Sequence, residues 1–316
     1  MSLTRRKLLS RTAAAVAALS VPAFGTWTRH PLTAGAGSAL PTDPTEADLR
    51  RLAEWTRAVR VAGFGGVDAP AGPAAARAGE EAIGTPYEAY TLEAYIREGG
   101  DPAAVEPLTL SLSRFDCVSL VESCIAIARL AASDREPGWS DLAREVERIR
   151  YRGGVREGYT SRLHYFSEWI RDNAARGWLR DMGRELGGDA DRRPLRFMTA
   201  NRDAYPALAG DQVYRAIQAM ERRQDPFTRW VVPTRRIPEI SDRIRTGDVL
   251  AFATSIEGLD VTHSAFAYRD ERAVLRVLHA PLSGGEVEIT DATLPEYVGA
   301  IKGSTGILIA RPIHRD

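Results

Sequence analysis

Apolar positions follow a helical spacing in the first two thirds of the chain and form short runs in the last third. From Thr45, apolar residues recur every three or four positions, which predicts an amphipathic helix. Helical patterns also cover 138–150, 164–182 and 203–222. The Gly-, Pro- and Ala-rich stretch 65–80 is expected to be a loop.

The strongest helical pattern covers residues 113 to about 132 and is apolar on most faces, which is typical of a buried helix. Ser113 and Asp116 have the spacing of a capping box at its start. We therefore expect a helix in the core that begins near Ser113.

After Val231 the chain changes to short apolar runs separated by turn residues. The predicted strands cover 248–254, 264–268, 273–278, 287–289 and 306–310. Helices followed by an antiparallel sheet predict an α+β fold. With no internal repeat and no second linker, one domain from 46 to 316 is the simplest interpretation.

The charge balance argues against certain binding partners, and the N-terminal sequence indicates a cellular compartment. Lys+Arg and Asp+Glu both number 42, so the chain carries no net charge that would favour nucleic acid or an anionic membrane. Arg5-Arg6 precedes a short apolar run over 12–21, which resembles a twin-arginine signal with cleavage near Gly25. We therefore expect 1–25 to be a signal peptide and 26–45 a linker. The run is too short for a stable membrane anchor. We expect export by the twin-arginine machinery to the periplasm or the exterior.

The two cysteines, Cys117 and Cys124, lie seven residues apart in the predicted buried helix. Seven residues of helix separate them by about 10 Å, which is too far for a disulfide. Cys117 falls in the first turn, where the helix dipole and free N–H groups favour a nucleophilic thiolate. The alternative for Cys117 is a second buried core thiol, the role expected of Cys124.

Two of the five histidines are predicted to meet in a hairpin. His263 begins one predicted strand and His279 ends the next. If the two strands pair through the turn at 269–273, both side chains come to one edge of the sheet, where a general base and its orienting partner would stand. A structural role remains the alternative for each histidine. A zinc site is disfavoured because the cysteines are too far apart and no C-x-x-C or H-x-x-x-H pair is present.

The order of these features resembles the NlpC-type papain-like cysteine peptidases, bacterial cell-wall hydrolases with a Cys-His-His triad. The helix-opening Asp116-Cys117 and the segments 84–87, 247–249 and 278–280 carry the resemblance. The segments 115–122, 161–169 and 258–263 resemble one branch, first catalogued as a domain of unknown function and associated with N-acetylmuramoyl-L-alanine amidase activity.

The resemblance implies a papain-like fold and a muropeptide or peptidoglycan substrate, with no cofactor and no metal. It implies the catalytic residues Cys117, His263 and His279, and Tyr87 beside the oxyanion. Arg162, His164, Tyr165 and Asp260 are expected to line the substrate cleft, although Arg162 and His164 could equally be polar contacts of a helix. Ser264 and Pro281 depart from the family pattern, where Val and Ser are usual.

The same triad would also suit a γ-D-glutamyl-diamino-acid endopeptidase. A non-catalytic peptidoglycan-binding protein is the alternative from a different functional class.

Overall fold

The computed structural model describes residues 43–283 and 285–314. The predicted signal peptide and most of the predicted linker lie outside these residues. Within the described ranges, no helix has the length and apolar character needed to cross a membrane.

Eight of the ten α-helices in the described residues precede residue 225, and two short ones follow it. The ten are α1 (Glu46–Val59), α2 (Ala71–Glu81), α3 (Ala94–Arg97), α4 (Cys117–Ala131), α5 (Trp139–Arg150), α6 (Phe166–Ala175), α7 (Phe197–Ala200), α8 (Asp211–Gln224), α9 (Ile237–Ile240) and α10 (Leu294–Ala300). The predicted helices at 164–182 and 203–222 are thus shorter, since a strand begins at Leu179 and single turns occupy 202–208.

The strands form one sheet in which every pairing between named strands is antiparallel. They are β1 (Leu179–Asp181), β2 (Asp189–Asp191), β3 (Arg229–Pro233), β4 (Val249–Thr254), β5 (Val261–Arg269), β6 (Leu275–His279), β7 (Glu288–Ile289) and β8 (Ser304–Pro312). Their order across the sheet is β2-β3-β8-β4-β5-β6-β7, and β1 pairs with β8. The predicted mixture of helices and an antiparallel sheet is confirmed.

Strand β4 is buried along its whole length because both faces of the sheet are covered. Val249 and Ala251 face a large core shared with α1, α2, α4 and α5. Leu250 and Phe252 face a smaller core that includes Val298 of α10. This alternation follows from the two-residue period of a strand, and it places α4 against one face only.

The prediction of a loop over 65–80 is wrong, because helix α2 occupies most of that stretch. Its alanines are strong helix formers, and their small side chains let α2 pack closely on α4 and the sheet. A Cβ on Gly79 would lie 2.6 Å from Cδ2 of Leu278. At the other end, a Cβ on Gly247 would lie 1.8 Å from the Gly72 carbonyl oxygen, and Gly247 has a φ of +84°. Glycine is therefore required where α2 meets the turn before β4.

Helix α4 begins later than the sequence predicts. Asp116, not Ser113, is the N-cap residue, and its carboxylate accepts a hydrogen bond from the Ser119 backbone N–H at 2.7 Å. The Ser119 hydroxyl in turn accepts from the Asp116 backbone N–H at 2.9 Å. This reciprocal pair is a capping box shifted by one turn. Cys117 is consequently the first residue of the helix.

Candidate active site

Cys117 is held at the N-terminus of α4 by neighbours on both sides. Phe115 before it is fully buried and packs on Trp55, with ring centroids 6.2 Å apart. The Thr91 hydroxyl donates to the Asp116 carboxylate at 2.7 Å. Cys117 itself is partly exposed, whereas Cys124 is buried in the core, and both thiols are free. The expectation that the two cannot form a disulfide is confirmed.

The surroundings of Cys117 favour the neutral thiol over the thiolate. Burial and the neighbouring Asp116 carboxylate raise its pKa to about 11, although the N–H and hydroxyl of Ser264 and its own backbone N–H lower it. The predicted thiolate preference at the helix N-terminus is therefore outweighed, because desolvation and a like charge both disfavour the anion. A nucleophilic role for Cys117 would therefore need a base that takes the thiol proton before or during attack.

The hairpin β5–β6 brings His263 and His279 into contact. Phe266 pairs with Leu278 across the hairpin, so the start of β5 and the end of β6 converge. Nε2 of His263 lies 2.8 Å from Nδ1 of His279, and the ring planes meet at 72°. Both side chains are buried. Burial lowers the pKa of both imidazoles, for His279 to about 4. Both are neutral at neutral pH.

Phe252 and Tyr297 enclose the two imidazoles. Phe252 stacks on His263 with ring centroids 5.5 Å apart. Tyr297 meets His279 edge-on at 5.2 Å, and its hydroxyl lies 3.4 Å from His279 Nδ1. Sequence reasoning missed Tyr297 because it missed α10. The Thr293-x-x-Glu296 capping box could have revealed the start of that helix.

Two ring nitrogens of the pair, His263 Nδ1 and His279 Nε2, are buried and make no hydrogen bond within the described residues. Nε2 of His263 is occupied by His279, while its Nδ1 is buried and has no hydrogen-bond partner in the described part of the chain. Ser264, the next residue, lies close enough to the Cys117 thiol to lower its pKa, although the Ser264 hydroxyl makes no hydrogen bond within the described residues. Strand β5 therefore carries both the free imidazole nitrogen of His263 and the residue that lies close to the thiol.

Tyr87 lies between the segment before the nucleophile and the loop after β6. Its N–H donates to the Gly285 carbonyl at 2.8 Å, and it forms an isolated parallel bridge with Phe115. Burial raises the pKa of the half-buried phenol, with added contributions from Cys117 and Asp116. The hydroxyl is thus a proton donor at neutral pH in the neighbourhood of the thiol.

Arg162 lies behind the site, not in an open cleft. It is buried, pairs with Glu93, and donates to the Leu92 carbonyl at 2.9 Å. A second carboxylate, that of Glu106, lies 3.6 Å from its Nε. These contacts hold the segment that carries Thr91, which reaches the N-cap of α4.

His164, Tyr165 and Asp260 also have internal partners. His164 Nε2 lies 2.8 Å from the Tyr159 carbonyl oxygen, and the Tyr165 hydroxyl donates to Glu221 at 2.7 Å. The Asp260 carboxylate accepts from the N–H groups of Ser167 and Val261, both at 2.8 Å. These contacts inside the fold disfavour a place in the cleft for Tyr165 and Asp260, which are buried, whereas His164 is partly exposed. Asp260 ties α6 to the strand of His263.

No cluster of three or more His, Cys, Asp or Glu side chains with the arrangement of a metal site occurs among residues 43–283 and 285–314.

Several solved structures share this architecture. An N-acetylmuramoyl-L-alanine amidase from Bacteroides uniformis aligns with 77% of this chain and 99% of its own, at 27% identity and a TM-score of 0.69. A candidate xylanase from Bacteroides fragilis aligns with 74% of this chain and 98% of its own, at 30% identity and a TM-score of 0.67. A Legionella pneumophila protein, 16% identical over 85% of this chain and 95% of its own, shares the fold with a TM-score of 0.59.

No curated protein matches the sequence. The family model described as "AmiA-like: N-acetylmuramoyl-L-alanine amidase-like" matches residues 77–307, which contain α4 with Cys117, both hairpin histidines and Tyr87. The match covers well over half of the chain. The protein therefore belongs to the AmiA-like family of N-acetylmuramoyl-L-alanine amidase-like proteins.

Proposed function

We propose that this protein is a cysteine-dependent amidase that cleaves the bond between N-acetylmuramic acid and L-Ala in muropeptides. One observation carries the proposal. Cys117, at the N-terminus of α4, lies beside strand β5, and that strand also holds His263, whose Nδ1 has no hydrogen-bond partner among the described residues. The family and the named activity of the Bacteroides uniformis relative support the substrate class. A nucleophile helix packed on the antiparallel sheet that holds the base is also the arrangement expected of a papain-like fold.

Attack and proton transfer occur together in this mechanism. His263 Nδ1 takes the proton from the Cys117 thiol while the sulfur forms a bond to the lactyl carbonyl carbon. The carbonyl electron pair moves onto oxygen. The N–H of Cys117, which has no partner within α4 because it lies in the first turn, and the Tyr87 hydroxyl stabilise that charge.

The leaving group departs with the same proton. The His263 imidazolium protonates the L-Ala nitrogen as the carbon–nitrogen bond breaks, which leaves a thioester on Cys117 and releases the stem peptide. Water then attacks the thioester, with His263 again as the base. The products are a muramic acid carboxylate and a free Cys117 thiol, so the enzyme returns to its starting state. His279 orients His263 throughout.

We further propose that the protein acts outside the cytoplasm. Support comes from the paired arginines at the N-terminus and from a substrate class that belongs to the cell wall. Both the signal and its machinery remain proposals.

The alternative functions are enzymes that cut a different bond and a protein that binds the cell wall without cutting it. A γ-D-glutamyl-diamino-acid endopeptidase would use the same three side chains on a bond further along the stem. A wall-binding protein would cut none. A glycosidase, as the name of the Bacteroides fragilis relative suggests, needs a pair of carboxylates across the scissile bond, whereas the groups that meet here are a thiol and two imidazoles.

Mass spectrometry of products from a purified disaccharide–peptide muropeptide separates these activities. An amidase releases the intact stem peptide with a free L-Ala amine and leaves the intact disaccharide. An endopeptidase leaves the disaccharide attached to L-Ala and D-Glu, and a glycosidase cuts the sugar. Detection of the last two product types without the first would overturn the proposed bond specificity.

A further inference from the structure

Glu288 lies next to His279, on the side of the imidazole that faces away from His263. It pairs with His279 across β6 and β7, and its Oε1 lies 3.4 Å from His279 Nε2, which is within ion-pair distance, although Nε2 makes no hydrogen bond within the described residues. His279 therefore has neighbours at both ring nitrogens. The Cys-His-His triad implied by the sequence resemblance does not include this carboxylate.

The contacts of His279 define which of its nitrogens carries the hydrogen. Nδ1 faces two possible donors, His263 Nε2 at 2.8 Å and the Tyr297 hydroxyl at 3.4 Å. A neutral imidazole has one donor and one acceptor nitrogen. With the hydrogen on Nε2, His279 faces the Glu288 carboxylate with a donor and accepts from its neighbours at Nδ1. The opposite tautomer would point a lone pair at the carboxylate.

The tautomer of His279 determines the tautomer of His263, the proposed base. If His279 Nδ1 is an acceptor, His263 Nε2 must carry the hydrogen that it donates. His263 Nδ1 then has a free lone pair, consistent with its having no hydrogen-bond partner in residues 43–283 and 285–314. A tautomer fixed by the second ring contact is a common way to set the role of a histidine.

We propose that Glu288 is a positioning residue of this site. Its carboxylate selects the Nε2–H tautomer of His279, which keeps His263 Nδ1 ready to accept the thiol proton, and its charge stabilises the imidazolium formed during attack. The proposal rests on the proposed function for its catalytic consequence, but the tautomer itself does not depend on any substrate.

The charged groups and the solvent around Glu288 determine how strongly its carboxylate influences His279. Glu286 and Asp291 face it from its own segment, Tyr297 from α10 and His279 from β6. Burial and the two carboxylates raise the pKa of Glu288. Since 53% of its side chain is exposed, water screens the interaction, and an effect of moderate size is expected.

The kinetic test compares Glu288→Gln with wild type on a purified muropeptide. We expect kcat to fall roughly two- to fivefold and the acid limb of the pH profile to move to lower pH by about half a unit, the scale of a partly exposed ion pair. Asp291→Asn is the matched control, because it removes a nearby carboxylate that does not contact His279. A loss of kcat without a shifted limb, or an equal shift in Asp291→Asn, would show that the role is only structural.

The second test needs no activity. Nitrogen NMR of the imidazoles is recorded in the Cys117→Ala protein with and without Glu288→Gln. The expected result is an Nε2–H tautomer of His279 and a His279 pKa that falls when the carboxylate is removed. An Nδ1–H tautomer, or an unchanged pKa, would overturn the proposal even if the protein proved to hydrolyse a different bond.

Discussion

Nε2 of His263 lies 2.8 Å from Nδ1 of His279, on the two strands of one hairpin. The opposite nitrogen of His263 makes no hydrogen bond within the described residues, and burial lowers the pKa of both imidazoles, which favours their neutral forms. The surroundings of Cys117 likewise favour the neutral thiol. The site therefore resembles a general-base arrangement more than a preformed thiolate–imidazolium pair.

A protonated resting thiol predicts a particular pH dependence of alkylation. Because the pKa of Cys117 is about 11, its rate of reaction with iodoacetamide should rise about tenfold per pH unit from pH 7 to 10. Peptide mapping after timed labelling measures the rate. Buried Cys124 is the internal control and should stay unlabelled in the folded protein. A rate at Cys117 that is already maximal at pH 7 would contradict the neutral resting state.

The lowered histidine pKa values predict activity in mildly acidic solution. Protonation of His263 removes the base, so kcat/KM falls as the pH drops through the pKa of the histidine pair. Since burial lowers both pKa values below the usual 6.5, the acid limb should lie below pH 6. A muropeptide hydrolysis profile from pH 4 to 8 checks this. An acid limb at or above pH 6.5 would mean that the imidazoles are not desolvated as the structure indicates.

Tyr87→Phe isolates the hydroxyl proposed to stabilise the oxyanion. Loss of one such donor should reduce kcat by about 100-fold or more, with a small change in KM, because the contact forms only in the transition state. Steady-state kinetics on a muropeptide measures both constants. Tyr90→Phe is a matched control, since Tyr90 is exposed three residues further on. Equal kcat values for Tyr87→Phe and wild type would remove Tyr87 from the mechanism.

Breaking the buried ion pair between α4 and α5 should cost far more stability than breaking an exposed pair. Nε of Arg150 lies 2.6 Å from Oε2 of Glu122, and both side chains are almost fully buried. Arg150→Met leaves a buried carboxylate unpaired and should lower the free energy of unfolding by about 3–5 kcal/mol. Arg180→Met, which breaks an exposed pair with Glu185, should change it by less than about 1 kcal/mol. Urea unfolding of both variants measures the contrast, and similar losses would argue against a buried pair.

The sequence predicts best those elements that follow from the local spacing of apolar and turn residues. The strands after residue 248 and the hairpin between His263 and His279 follow from short apolar runs and turn residues, and the structure contains them. Helix α2 escaped prediction because its glycines and proline were weighed more heavily than its alanines. Its small residues are explained only by the close approach to α4 and the sheet.

Side-chain direction is harder to predict, because it depends on distant packing. Arg162 and Asp260 stand next to motif residues in the sequence, yet each turns inward to partners far along the chain, such as Glu93 and Ser167. Glu288 reaches the site through strand pairing, and no local pattern marks it as a neighbour of His279.

The rate of stem-peptide release by wild type, Cys117→Ala and Cys124→Ala tests the central claim most directly. Each protein is incubated with the same muropeptide, and the products are quantified by mass spectrometry after circular dichroism has shown that each is folded. The account predicts that Cys117→Ala releases no stem peptide above background, whereas Cys124→Ala retains substantial activity because its thiol is buried in the core. Release by folded Cys117→Ala at the wild-type rate would contradict the assignment of Cys117 as the nucleophile.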